Sequence, residues 1–241
     1  MKKTTKLLCF PFAGGNKYSY RVFSEMAPSF IEIITLEYPG RATRVDDPLL
    51  TNITLLAEDM VKQIVPYLDG KDYAIYGHSM GGLLAYLVTL QLAKNDFKLP
   101  VHIFITGTSG PSAVSRTEDV KRHLLEKQEF IEEIRALDGM PEEILTNEEL
   151  LMYFEPILRA DFEASETYIY TLQDEPLDIS VTVITGTEED IEPEDIKIWQ
   201  QEFKRPIDFK RLPGKHFFIF EHTFKIIEII SKKLYLHKIP S

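Results

Sequence analysis

Cysteine is almost absent from the 241-residue sequence, and glycine (12) and proline (14) are sparse. The single Cys9 has no partner for an internal disulfide, and no Cys/His cluster has zinc-ligand spacing, which excludes a disulfide-stapled scaffold and a structural zinc module. There is too little Gly and Pro for a collagen-like or low-complexity chain. A content of 44% apolar and 27% charged residues is that of an ordinary folded protein. No stretch approaches the ~18–20 continuous apolar residues of a membrane span. The richest, Leu83 to Ala93, is broken by Thr89 and Gln91. Basic residues are the minority charge, 27 Lys+Arg against 38 Asp+Glu, and the net charge of −11 argues against a nucleic-acid partner. The expectations are a reducing cytoplasm, no membrane, no metal, no cofactor, and a monomer.

The acidity is uneven. Residues 111–178 hold 18 acidic and 6 basic side chains, a net of −12, while the remainder sums to 21 − 20 = +1. Elsewhere short β-rich runs alternate with helical patterns: Lys6–Phe10, Ile31–Leu36, Asp72–Tyr76, Val101–Thr106, Val181–Thr185 and Ile207–Leu212. This alternation predicts βαβ units and a mostly parallel sheet flanked by helices. The charged opening Met1–Lys6 before Leu7–Phe10 lacks the apolar length and cleavage pattern of a signal peptide and reads as the approach to a buried strand. Apolar positions at helical spacing predict helices over 53–68, with Thr51 or Asn52 as N-cap, and over 193–204 and 221–235. Between Thr106 and Val181 lie helical patterns and no strand, far more chain than one crossover needs. The expected organisation is one domain over 1–241 with a helical insertion at about 111–178, coincident with the acidic segment.

Gly77-His78-Ser79-Met80-Gly81 reads G-x-S-x-G, with a strand running directly into it and the Leu83–Ala93 helix running out. A serine on so tight a strand-to-helix turn needs small neighbours two before and two after, and the helix then aims its N-terminus at a developing oxyanion. Ser79 is the candidate nucleophile. A serine hydroxyl needs a histidine to take its proton, and the histidine needs a carboxylate, in the chain order Ser, acid, His. His216 lies just after the last strand and is the best candidate base. His222 is the runner-up, while His102, His123 and His237 fall in a strand, the insertion and the tail. The strand ending at Thr185 leads into Glu188-Glu189-Asp190, where Asp190 is slightly favoured as the acid and Glu189 is the alternative. The N–H of Met80 and one from the loop Cys9–Gly15, at Phe12 or Ala13, complete an oxyanion hole.

Phe10–Gly15 (F-P-F-A-G-G), Tyr38-Pro39-Gly40-Arg41, Gly77–Gly82, Leu158-Arg159-Ala160-Asp161-Phe162 with Glu166-Thr167-Tyr168, Thr185-Gly186 and Gly214-Lys215-His216-Phe217-Phe218 together resemble the type II, stand-alone thioesterases of non-ribosomal peptide and polyketide synthetases. The resemblance spans nearly the whole chain. It implies an α/β-hydrolase fold with a helical lid at the insertion. It also implies, as substrate and partner, acyl or aminoacyl groups on the 4′-phosphopantetheine of carrier domains. The family places Asp three residues after the glycine equivalent to Gly186, and here that position is Glu189. A small-molecule carboxylesterase or acyltransferase, or a non-catalytic binding module on the same fold, are the rival readings. Carrier domains of such systems are acidic, so docking is expected at basic positions off the insertion: Lys204, Arg205, Lys210, Arg211 or Lys215.

Overall fold

The computed structural model describes residues 4–118 and 120–237; the opening Met1–Lys3 lies outside them. Six strands, β1 (Thr5–Phe10), β2 (Ile31–Thr35), β3 (Tyr73–His78), β4 (His102–Thr106), β5 (Ser180–Gly186) and β6 (Asp208–Leu212), pair in the order β2-β1-β3-β4-β5-β6. Every pairing is parallel. Parallel strands need crossovers that bury both sheet faces, which explains the near-continuous apolar runs. Side-chain alternation sorts those runs into two layers. Leu8, Phe10, Tyr73, Ile75, Ile103, Ile105, Val181 and Val183 pack against helices Ile53–Ile64 and Met80–Lys94 and against Trp199 and Phe203. On the opposite face, Leu7, Cys9, Ala74, Tyr76, Phe104 and Ile184 meet helices Arg21–Met26 and Thr223–His237.

Asn52 caps the first of these helices, its side chain accepting from the Thr54 and Leu55 N–H groups. The stretch read as one helix over 193–204 is instead an α-helix, Pro193–Lys197, tightening to a 3₁₀ turn, Ile198–Glu202. Tertiary bonds impose the tightening: the Trp199 indole N–H reaches the Thr108 carbonyl, and the Tyr86 hydroxyl bonds the buried Glu202 carboxylate. The 221–235 pattern is likewise split, into Phe218–Glu221 and Thr223–His237.

Between β4 and β5 the described residues form helices up to Glu166 and then an irregular run, with Lys127–Leu137 and Glu148–Glu166 the longest elements. These carry their own apolar cluster, including Phe130, Ile131, Ile134, Leu145, Leu151 and Leu158. Their inner stripe faces the C-terminal ends of the strands, where ligands gather in parallel α/β sheets.

Candidate active site

Ser79 sits between β3 and helix Met80–Lys94 with φ +55° and ψ −122°, a conformation that non-glycine residues rarely adopt. Three features over-determine it. The Ser79 N–H bonds the Thr106 carbonyl (2.8 Å), and the Ser79 carbonyl accepts from Gly82 (2.9 Å). A Cβ at Gly77 would fall on the Gly81 carbonyl, and one at Gly81 would fall on the Phe10 carbonyl. The glycines of G-x-S-x-G are thus required by close backbone approach.

The loop after β6 carries His216, whose Nδ1–H donates to Glu189 Oε1 (2.8 Å). The other oxygen, Oε2, accepts the Gly186 N–H (2.6 Å), so one carboxylate ties its own loop and orients the imidazole. The Glu189 side chain is 2% exposed and that of His216 is 19% exposed. The two loops are also joined backbone to backbone, Glu188 N–H to Gly214 carbonyl at 3.0 Å. Asp190, favoured on sequence, is solvent-exposed, and the carboxylate bonded to His216 is Glu189. The geometric reason is reach. The extra methylene of glutamate lets the side chain curl back over Gly186 and still meet the ring, while Asp190, one residue further on, has left the strand end.

Four other histidines are engaged elsewhere. His102 is buried on the Thr182 hydroxyl, the His123 ring bonds Glu166, and His222 Nε2–H donates to the Pro213 carbonyl. His78 is fully buried, its Nδ1 on the Thr106 hydroxyl and its ring 4.8 Å from that of His216. Burial, reinforced by neighbouring His216, holds its pKa well below the ordinary histidine value, so it packs as a neutral ring under His216.

Ser79 and His216 both line two cavities. One is apolar, about 60 Å³, and bounded by Phe12, Gly14, Ile134, Met140, Leu158 and Phe217. The other is a polar cleft of about 500 Å³ reaching past Thr108, Arg116, Arg122 and Lys215 to solvent. Phe12 lines the apolar cavity, edge-on to Phe217 at 4.9 Å. Among the described residues, neither the Phe12 nor the Met80 N–H donates to a loop or turn carbonyl. Sequence reasoning missed the cavity walls Ile134, Leu137 and Met140. The amphipathic spacing of Lys127–Leu137 carried a signal for Ile134 and Leu137, and Met140, beyond that helix, had none.

Of the basic positions expected on the docking face, Lys204 and Arg205 are paired with Glu175 and Asp178, and Lys210 with Asp208. The Arg211 guanidinium donates to the Thr187 carbonyl, and Lys215 lies at the rim of the polar cleft. No described helix is long and apolar enough to cross a membrane.

Comparison with known proteins decides the family. Residues 5–234 match the thioesterase domain family. The chain belongs to it. The thioesterase is 32% identical over 236 residues to the gramicidin S biosynthesis protein GrsT of Aneurinibacillus migulanus, covering 98% of this chain and 91% of that protein. It is 30% identical over 219 residues to the medium-chain S-acyl fatty acid synthase thioesterase of Rattus norvegicus, covering 89% of this chain and 81% of that one. The structure of ClbQ from the colibactin NRPS/PKS pathway superposes with a TM-score of 0.90 at 27% identity, covering 96% of this chain and 97% of that one. The six-stranded parallel sheet is that of the α/β-hydrolase thioesterases, and the thioesterase is a serine hydrolase of thioester bonds.

Proposed function

We propose that this thioesterase removes short acyl or aminoacyl groups from the 4′-phosphopantetheine of acidic carrier domains, working as a single chain in the cytoplasm beside a peptide or polyketide synthetase. The observation that carries the reading is the pair of cavities meeting at Ser79 and His216, one apolar and small, the other polar and open. A thioester carbonyl at their junction would have its acyl group in the apolar cavity and its pantetheine arm in the cleft. The helical segment between β4 and β5 then acts as a lid, since Ile134, Leu137, Met140 and Leu158 wall the acyl side.

The proposed route has two halves. His216 takes the Ser79 proton through its Nε2 while Glu189 holds the opposite nitrogen, which fixes the tautomer and stabilises the imidazolium. Ser79 Oγ bonds to the carbonyl carbon, and the Phe12 and Met80 N–H groups bind the oxyanion. The tetrahedral adduct collapses, the C–S bond breaks, and the imidazolium proton passes to the departing thiolate. Water then attacks the acyl-serine with His216 as base, releasing a carboxylic acid and restoring the serine. Ser79, His216, Glu189, water and substrate account for every proton in this sequence.

Support for the biosynthetic setting comes from GrsT and ClbQ, whose names and pathways belong to such systems. Likeness to the rat enzyme favours a second reading, a medium-chain fatty acyl substrate. The apolar cavity is small, about 60 Å³, against about 500 Å³ for the cleft, which favours the short acyl group. The test loads a carrier domain with acyl-phosphopantetheine of increasing chain length and follows intact mass. Rapid loss of acetyl with slow loss of decanoyl supports the reading, the reverse order favours the second, and Ser79→Ala turning over at the wild-type rate refutes both.

A further inference from the structure

Arg41 and Asp161, from the motifs Tyr38-Pro39-Gly40-Arg41 and Leu158-Arg159-Ala160-Asp161-Phe162, have no part in the chemistry above. In the fold they meet. Asp161 is fully buried on helix Glu148–Glu166, and its carboxylate forms a two-pronged pair with the Arg41 guanidinium, Nη1 to Oδ2 at 2.6 Å and Nη2 to Oδ1 at 2.7 Å. Arg41 is itself 3% exposed. Asp161 Oδ2 also accepts the Gly14 N–H at 2.7 Å, and Arg41 Nη1 also donates to the Gly15 carbonyl at 3.2 Å. Acid and base therefore grip adjacent residues, Gly14 and Gly15, of the loop after β1.

The grip is reinforced around it. Gly14 has φ +76°, and Leu158, one turn before Asp161 on the same helix, occupies the space a Cβ there would need. The Tyr38 hydroxyl donates to the Pro11 carbonyl (2.7 Å), and the Tyr38 ring lies 5.3 Å from the Arg41 guanidinium carbon. The Gly15 N–H closes the turn onto the Phe12 carbonyl (2.8 Å). Phe12, the donor assigned above to the oxyanion, is thus two residues from a peptide held by Asp161.

A buried ion pair of this kind is poor evidence for stability. Desolvating both charges offsets much of their attraction, and a well-packed apolar pair serves as well. What it supplies here is directional: two carboxylate oxygens and a planar fork specify the position of Gly14 to within a hydrogen bond's tolerance. Catalytic donors are effective only when held at the oxyanion's position before the reaction starts.

We propose that Asp161, oriented by Arg41, is a positioning residue that holds the Phe12 N–H in its oxyanion-binding place, so that the oxyanion hole is complete only while helix Glu148–Glu166 is seated. The inference rests on the reading of Ser79 and Phe12 given above. Asp161 touches no substrate. It acts through Gly14, and it couples the covering helix to catalytic competence.

The experiment compares Asp161→Asn, which keeps the shape and loses the charge, with wild type and Ser79→Ala on an acyl-pantetheine thioester. Two inhibitors are added: a trifluoromethyl ketone, which places an oxyanion in the hole once Ser79 adds to it, and a non-hydrolysable thioether analogue, which does not. The expected result is kcat roughly ten- to a hundredfold lower, with KM changed by less than about twofold. Trifluoromethyl ketone affinity falls by a similar factor and thioether affinity is preserved. Wild-type kcat in Asp161→Asn, or equal weakening of both inhibitors, overturns the proposal. Activity retained by Ser79→Ala refutes the underlying mechanism instead. If Asp161→Asn does not fold, Arg41→Lys, which keeps the charge and removes the fork, goes through the same measurements: selective loss of trifluoromethyl ketone affinity supports the proposal, and wild-type kcat or equal weakening overturns it.

Discussion

Glu189 shows how much of the site a single residue decides. Its two oxygens do separate work, one on the His216 Nδ1–H and one on the Gly186 N–H, and its side chain is removed from water. Replacing it with alanine leaves the imidazole free to rotate and the imidazolium uncompensated, so kcat for thioester hydrolysis is expected to fall about a thousandfold or more. Asp190→Ala, at an exposed position, is expected to stay within about twofold; steady-state kinetics of the two variants make the comparison. Ser79 and His216, the proposed nucleophile and base, were legible as candidates because strand, turn and loop chemistry constrain them locally. The carboxylate bonded to His216 was not, because three consecutive carboxylates differ only in how a loop turns. Spacing from Gly186 pointed to position 189, residue type pointed to 190, and the longer reach of glutamate decided between them. Arg41 and Asp161 stood out as motif residues, yet nothing local reveals that side chains 120 residues apart form one pair.

At the scale of elements, the strand-to-helix turn and the end of β1 are packed backbone on backbone. Gly81 lies against the Phe10 and Pro11 carbonyls, and the residues that flank this contact, Met80 and Phe12, are the two proposed oxyanion donors. Gly81→Ala therefore forces the two donors apart. It is expected to lower kcat more than about a hundredfold while leaving the far-ultraviolet circular dichroism unchanged, which a purified variant tests directly. All six strands could be read from sequence to within a residue or two, the central four as the near-unbroken apolar runs of strands buried on both faces, the less buried edge strands β2 and β6 by their place in the alternation of strand and helix. The helices were less legible. Over two turns a 3₁₀ segment and an α-helix share the same apolar spacing, so the tightening at Ile198–Glu202, imposed by the bonds of Trp199 and Glu202, has no local signature.

For the whole molecule, two buried histidines contribute to the response to acid. His102 is pushed down to about 3 by burial, with Lys233 adding to the effect, and burial holds His78 well below the usual range. In both, the folded state refuses a proton that the unfolded state accepts below pH ~6.5. Stability is therefore lost as pH falls below that value, at up to about 1.4 kcal/mol per pH unit for each histidine, until the folded-state pKa is reached. Urea denaturation midpoints are expected to drop steadily as the pH is lowered from neutral towards the carboxylate range, and His102→Gln to show a shallower decline than wild type. Charge is distributed differently at this scale from its reading along the chain. The strongly acidic segment is stitched to the body through Glu175–Lys204, Asp178–Arg205 and Asp161–Arg41, so two of the five basic positions expected for docking, Lys204 and Arg205, are already paired from within. The sheet order adds a consequence in time. The strained Ser79 turn depends on β1, β3 and β4, whereas its proposed base sits beyond β6, and synthesis proceeds from the N-terminal side. On the proposed mechanism a growing chain carries Ser79 long before it carries His216, and hydrolysis waits for β6 and the loop after it.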